Sequence, residues 1–109
     1  MGPGALYIRH LFMTTDDDAR LKKLRFRAWR RGFREADLIL GPFADRHVPA
    51  FSAAELDWFE ALLDEPDQDV YAWIVGTLPT PAAYDTDTMN RIKAFRLEVH
   101  AARGDDLGG

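Results

Sequence analysis

At 109 residues, 47% of them hydrophobic and 12% aromatic, the chain is sized for one domain and is apolar enough to bury a core. It has no cysteine, which excludes a disulfide framework, a thiolate metal site and a cysteine nucleophile, and fits a reducing compartment. The formal charge of −4 conceals a division: residues 20–34 carry eight basic side chains and no acid, whereas residues 35–109 carry fifteen acids against five bases. Such polarity steers encounters with a charged partner.

No apolar run approaches the roughly 20 residues that cross a bilayer, so no membrane insertion is expected. Residues 1–18 read as a leader, flexible or in part vector-derived, with Met13 as an alternative start. They lack the apolar stretch and small-residue cleavage site of a secretory signal. Asp16 to Asp18 then offer a cap and first-turn acids for a helix from about Ala19 to Arg31, which Gly32 ends. A second helix spans about Arg34 to Arg46, with Glu35 and Asp37 in its first turn and a kink or break expected at Gly41-Pro42. The stretch Ala36 to Leu40 could pass for a strand but has no partner strand.

Ser52-Ala53-Ala54-Glu55 is a capping box and starts a third helix, with Leu56, Phe59, Leu62 and Leu63 as its apolar stripe. Pro66 suits the first position of a fourth helix, whose inner face is Val70, Tyr71, Trp73 and Ile74 and whose end is marked by Gly76. Pro79 and Pro81 stiffen the loop that follows. A fifth helix runs from about Asp87 to Arg103, with Met89, Ile92, Phe95 and Val99 inward. Residues 104–109 are expected to be a disordered tail. The reading is therefore an all-α fold, a small five-helix bundle over residues 19–103.

The basic segment carries the chemistry. If helical geometry holds through Arg34, the residues Lys23, Arg27, Arg30, Arg31 and Arg34 fall within one stripe about 100° wide. Leu21, Leu24 and Ala28 lie on a neighbouring face, and Phe26, Trp29 and Phe33 on another. The stripe could be a solvated face that balances the acidic remainder. It could bind nucleic-acid phosphates, using the helix over residues 22–34. It could bind an acidic protein surface, for which the arginine fork is suited. Against nucleic acid stand the acidic remainder and the Glu35-Ala36-Asp37 start of the next helix, which would repel a phosphate backbone.

The segment from Arg30 to Asp37 resembles the signature of the succinate dehydrogenase assembly factor family, in bacteria and in mitochondria. Its hallmark Arg-Gly-x-x-Glu is matched by Arg31, Gly32 and Glu35. The likeness extends over about residues 20–97, taking in Leu24 to Trp29, Asp37, Phe43, the helix from Glu55 to Leu63, and Tyr71 to Ile74. It implies a five-helix fold and a chaperone-like role: docking on the flavoprotein subunit of succinate dehydrogenase or fumarate reductase and promoting its covalent attachment of FAD. The partner-binding residues it implies are Arg30, Arg31, Gly32, Phe33, Arg34, Glu35 and Asp37. FAD would belong to the client, with none held stably by this chain. The factor would be a monomer when free, binding one client transiently, in the bacterial cytoplasm.

Beside that resemblance, Gly32 can be a helix cap, Glu35 a dipole-favoured first-turn acid, and Asp37 a local partner of Arg34. Trp73 and Phe43 lie on apolar stripes and read as core. An enzyme is not expected. His10, His47 and His100 lie in the leader, a loop and a late helix, without metal-ligand spacing beyond an Asp45/His47 pair. Ser52, the only serine, is explained by its cap. No glycine-rich loop suits a dinucleotide.

Overall fold

The computed structural model describes residues 15–103. The leader up to residue 14 and the tail from residue 104 lie outside the described residues. Five α-helices follow one another: α1 (Thr15–Trp29), α2 (Arg34–His47), α3 (Ala53–Leu63), α4 (Asp67–Val75) and α5 (Asp87–Arg103). Short 3-10 turns occupy Val48–Ala50 and Ala82–Tyr84. No strand occurs among the described residues, and Ala36 to Leu40 lie inside α2.

Two boundaries differ from the sequence reading at α1. The helix begins at Thr15, which places Asp16 to Asp18 inside its first turn, and ends at Trp29 rather than Arg31. The last turn closes with the Arg30 N–H donating to the Arg27 carbonyl at 3.2 Å. Gly32 then takes φ +89°, a left-handed conformation that suits glycine and strains other residues. Chain direction is thereby reset before α2 begins.

Helix α2 is central, packing on α1, α4 and α5. It runs unbroken through Gly41 and Pro42, so the expected interruption is not a break. Proline removes one helical hydrogen bond. Burial on both sides of it (Ile39 and Leu40 before, Phe43 and Ala44 after) holds the segment helical. Gly41 has a packing reason: a Cβ there would lie 2.3 Å from the Trp29 ring. The indole therefore lies against the α2 backbone, and its Nε1–H donates to Asp45 Oδ2 at 3.0 Å.

Phe43 is the hub of the core. It is fully buried, and its ring meets those of Phe51, Phe59 and Phe95 at centroid distances of 5.7–6.1 Å. Leu24 and Ala28 of α1, Leu62 of α3, Val70 and Trp73 of α4, and Met89 and Ile92 of α5 complete it. Leu56, Tyr71 and Val99 pack at its edge. At Ser52 both arms of the capping box form: the Ser52 N–H donates to Glu55 Oε1 at 2.8 Å, and the Glu55 N–H to Ser52 Oγ at 3.2 Å. Pro66 caps α4 rather than occupying its first turn, and Gly76 ends that helix at φ +90°. His47, expected in a loop, is the last residue of α2.

Candidate partner-binding site

The turn between α1 and α2 separates its residues into two groups. Arg31, Phe33 and Asp37 face the protein. The Arg31 side chain is only 4% exposed. Its Nη1 donates to the Leu63 carbonyl at 2.8 Å and its Nη2 to the Glu65 carbonyl at 2.6 Å. Its Nε lies 2.6 Å from Asp67 Oδ1 in an ion pair. These carbonyls stand where α3 ends and have no helical partner of their own, so the guanidinium caps that end and complements its dipole. Phe33 is half-buried, with its ring 5.2 Å from that of Tyr71 on α4. Asp37 Oδ1 accepts the Arg31 N–H at 2.9 Å, while the Asp37 N–H donates to the Phe33 carbonyl at 2.9 Å. The local partner of Asp37 is therefore the Arg31 backbone and not Arg34.

Arg30, Gly32, Arg34 and Glu35 are exposed. The side chains of Arg34 and Glu35 make no hydrogen bond or ion pair among the described residues, and Glu35 does not hold Arg31. A Cβ built on Gly32 would meet nothing within 4 Å. The glycine is thus required by its dihedral angle and leaves open space above the turn. The turn is fixed from beneath by the arginine clamp and the Phe33–Tyr71 contact, and offers charged groups of both signs above.

The continuous arginine stripe is not present, because the helix stops before Arg31 and that side chain turns inward. Of the other members only Arg27 is neutralised among the described residues, and Arg20 and Arg25 outside the stripe are paired as well. Arg20 meets Asp57 at 2.6 Å and Glu60 at 3.2 Å, and Arg27 meets Asp64 at 2.5 Å, which aligns α1 with α3. Arg25 pairs with Asp45 at 3.0 Å. Among the described residues no group of three or more His, Cys, Asp or Glu is placed to hold a metal. Asp45 is shared by Arg25 and Trp29. The partners of Arg31 escaped sequence reading because they lie 32 and 34 residues away. Asp67 carried only the local signal of a first-turn acid.

The domain is all-helical, and the glycine-dependent turn at Gly32 is held from below and open above. The family model described as "Flavinator of succinate dehydrogenase" matches residues 22–96, and the chain belongs to that family. It is 45% identical over 56 residues to "Succinate dehydrogenase assembly factor 2, mitochondrial" of Debaryomyces hansenii, covering 51% of this chain and 39% of that protein. It is 36% identical over 76 residues to "Succinate dehydrogenase assembly factor 2-A, mitochondrial" of Drosophila erecta, covering 68% and 47%. A third relative, from Mycosarcoma maydis, is 35% identical over 85 residues, covering 76% and 35%. The chain spans less than half the length of each of these relatives.

Family membership makes this a domain of the succinate dehydrogenase assembly-factor family. The expected bacterial cytoplasmic location is overturned by these relatives, which are eukaryotic and named as mitochondrial. No helix among the described residues is long and apolar enough to cross a membrane.

Proposed function

We propose that this chain docks on the flavoprotein subunit of succinate dehydrogenase and promotes covalent attachment of FAD to that subunit. The observation that carries the reading is the Arg31-Gly32-x-x-Glu35 turn, found inside the region matched to the flavinator family and built as a rigid, outward-facing platform. Chemistry stays with the client, which holds the FAD and supplies the residue to be modified. The factor contributes orientation, by fixing mobile parts of the client around the flavin so that the reacting atoms meet more often in line.

The proposed roles within the turn follow the exposure of its residues. Arg30, Arg34 and Glu35 contact the client, with Arg34 and Glu35 as free charge and hydrogen-bonding groups. Gly32 lets the client backbone approach. Arg31, Phe33 and Asp37 hold the turn in shape. The factor binds no FAD stably by itself, is a monomer when free, and forms a one-to-one transient complex. A fumarate reductase flavoprotein is a second client of the same kind.

Gel filtration of the chain with FAD-loaded, not yet flavinylated flavoprotein tests docking. A one-to-one complex is expected with the wild type and not with Glu35→Arg, whose exposed site tolerates the change in fold. Absence of a complex with the wild type, or an unchanged complex with Glu35→Arg, contradicts the assignment.

A further inference from the structure

Of the eight basic side chains in residues 20–34, Arg20, Arg25, Arg27 and Arg31 are paired with acids of the same chain. Lys22, Lys23, Arg30 and Arg34 have no ion pair among the described residues. The division follows the helix. At about 100° per residue, Lys22, Lys23 and Phe26 lie on the side of α1 opposite the buried Leu21, Leu24 and Ala28, and Arg30 follows directly after the helix. At the centre of this outer side Phe26 is 61% exposed, and the Arg30 guanidinium lies 5.0 Å from its ring centroid.

A pocket of about 280 Å³ opens beside Phe26, bounded also by Arg27, Arg30, Leu63 and Pro66. Of the two acids that border it, Asp67 is neutralised by its ion pair with Arg31, whereas Glu65 keeps its charge and accepts the neutral Tyr84 hydroxyl at 2.8 Å. At the pocket itself Arg30 and Glu65 are the charged groups without an ion pair among the described residues, so the surplus positive charge is that of Lys22 and Lys23 on the outer side of α1, although the molecule as a whole is negative.

We infer that this face of α1 is a second docking element, which takes an acidic segment of the flavoprotein client carrying an aromatic or aliphatic side chain between its carboxylates. The inference rests on the docking role proposed above and extends it from the turn to the helix. The apolar side chain covers Phe26 and enters the pocket. The carboxylates meet Lys22, Lys23 and Arg30. An exposed aromatic ringed by charges is the arrangement of an interface anchor, in which the aromatic sets the dissociation rate and the charges set the association rate. Charge complementarity selects this occupant: the chain's own acids neutralise the flank of α1 toward α3 and leave the outer face to be neutralised by another molecule.

The test is surface-immobilised binding of the full chain to the purified FAD-loaded flavoprotein, at 0.05 and 0.5 M salt, with a random-sequence DNA duplex as a second analyte. Variants are Phe26→Ser, the double Lys22→Glu/Lys23→Glu, and Lys22→Arg/Lys23→Arg as the conservative control. Thermal unfolding of each variant confirms that it folds. Phe26→Ser is expected to weaken binding about tenfold, mainly through faster dissociation. The double reversal is expected to slow association about tenfold at low salt, with little effect at high salt, and the arginine control to match the wild type. Wild-type binding left unchanged in both Phe26→Ser and the double reversal overturns the second element and leaves the turn as the docking site. No wild-type binding overturns the docking role with it. Duplex binding abolished by the double reversal overturns the inference by assigning the face to nucleic acid.

Discussion

Arg31 is nearly buried, and its three contacts close the end of α3 and the start of α4 onto the α1–α2 turn. Truncation to alanine strands two carbonyls and the Asp67 carboxylate. The expected loss is about 3–5 kcal/mol, the range for breaking a buried pair, read as a fall in the urea midpoint. Arg31→Lys keeps the charge but loses the fork, and is expected to destabilise also, since one ammonium cannot satisfy three partners spread around the guanidinium. If Arg31→Ala leaves the midpoint in place while abolishing client binding, the residue is a docking group and the clamp is unimportant. Gly32 separates cleanly from it. Any side chain at φ +89° costs about 1–2 kcal/mol, but only a large one obstructs the open space above the turn. Gly32→Asn, which tolerates the left-handed region, is expected to keep both fold and docking, and Gly32→Arg to fold and fail to dock. Equal client affinity for the two variants would contradict this.

At the scale of elements, what the sequence reveals depends on how local the cause is. The capping box at Ser52, the glycine stop at Gly76 and the span of α5 are set by residues a few positions apart, and each stands where its pattern places it. Ser52→Ala is expected to cost about 1 kcal/mol, lowering Tm by roughly 4–8 °C in a domain of this size. A melt unchanged within error would show the box to be redundant. By contrast, the continuity of α2 through Pro42 depends on burial on both sides of the proline and on the Trp29 ring against Gly41. Neither contact has a local signature.

The same holds for the charge stripe, which assumed that the helix continued to Arg34. The end of α2 also carries a titratable contact. His47 sits against the Phe43 and Phe95 rings at 4.7 and 6.0 Å. Burial lowers its pKa below the ordinary 6.5, helped by Arg91 and Arg46 and opposed by Glu98. The unfolded chain therefore takes up this proton at higher pH than the folded one. Stability from the neutral imidazole is complete above about 6.5 and declines as pH falls through that value toward the lower folded pKa. His47→Gln is expected to flatten the dependence of Tm on pH between about 7.5 and 5.5, and an unchanged slope would contradict the assignment.

For the whole molecule, the all-helical class and most of the core were legible, because amphipathic periodicity and core identity are the same information. Phe43 and Trp73 are in the core as their stripes indicate. The candidate site was legible only as a motif. Its division into a locked underside and an open top depends on contacts between residues far apart in sequence, chiefly Arg31 with the α3–α4 connection and Phe33 with Tyr71. The pairing of α1 with α3 likewise converts a net basic segment into one with a neutralised flank and a cationic outer face.

The central claim, that this platform promotes flavinylation, is tested most directly by covalent flavin fluorescence of the flavoprotein on a denaturing gel. The client is expressed in a host lacking its own factor, with no addition, with this chain, or with its Gly32→Arg or Glu35→Ala forms. The account predicts fluorescence with the wild type that is weak or absent in the other three lanes. A folded, FAD-supplied client that stays without covalent flavin beside the wild-type chain would contradict it.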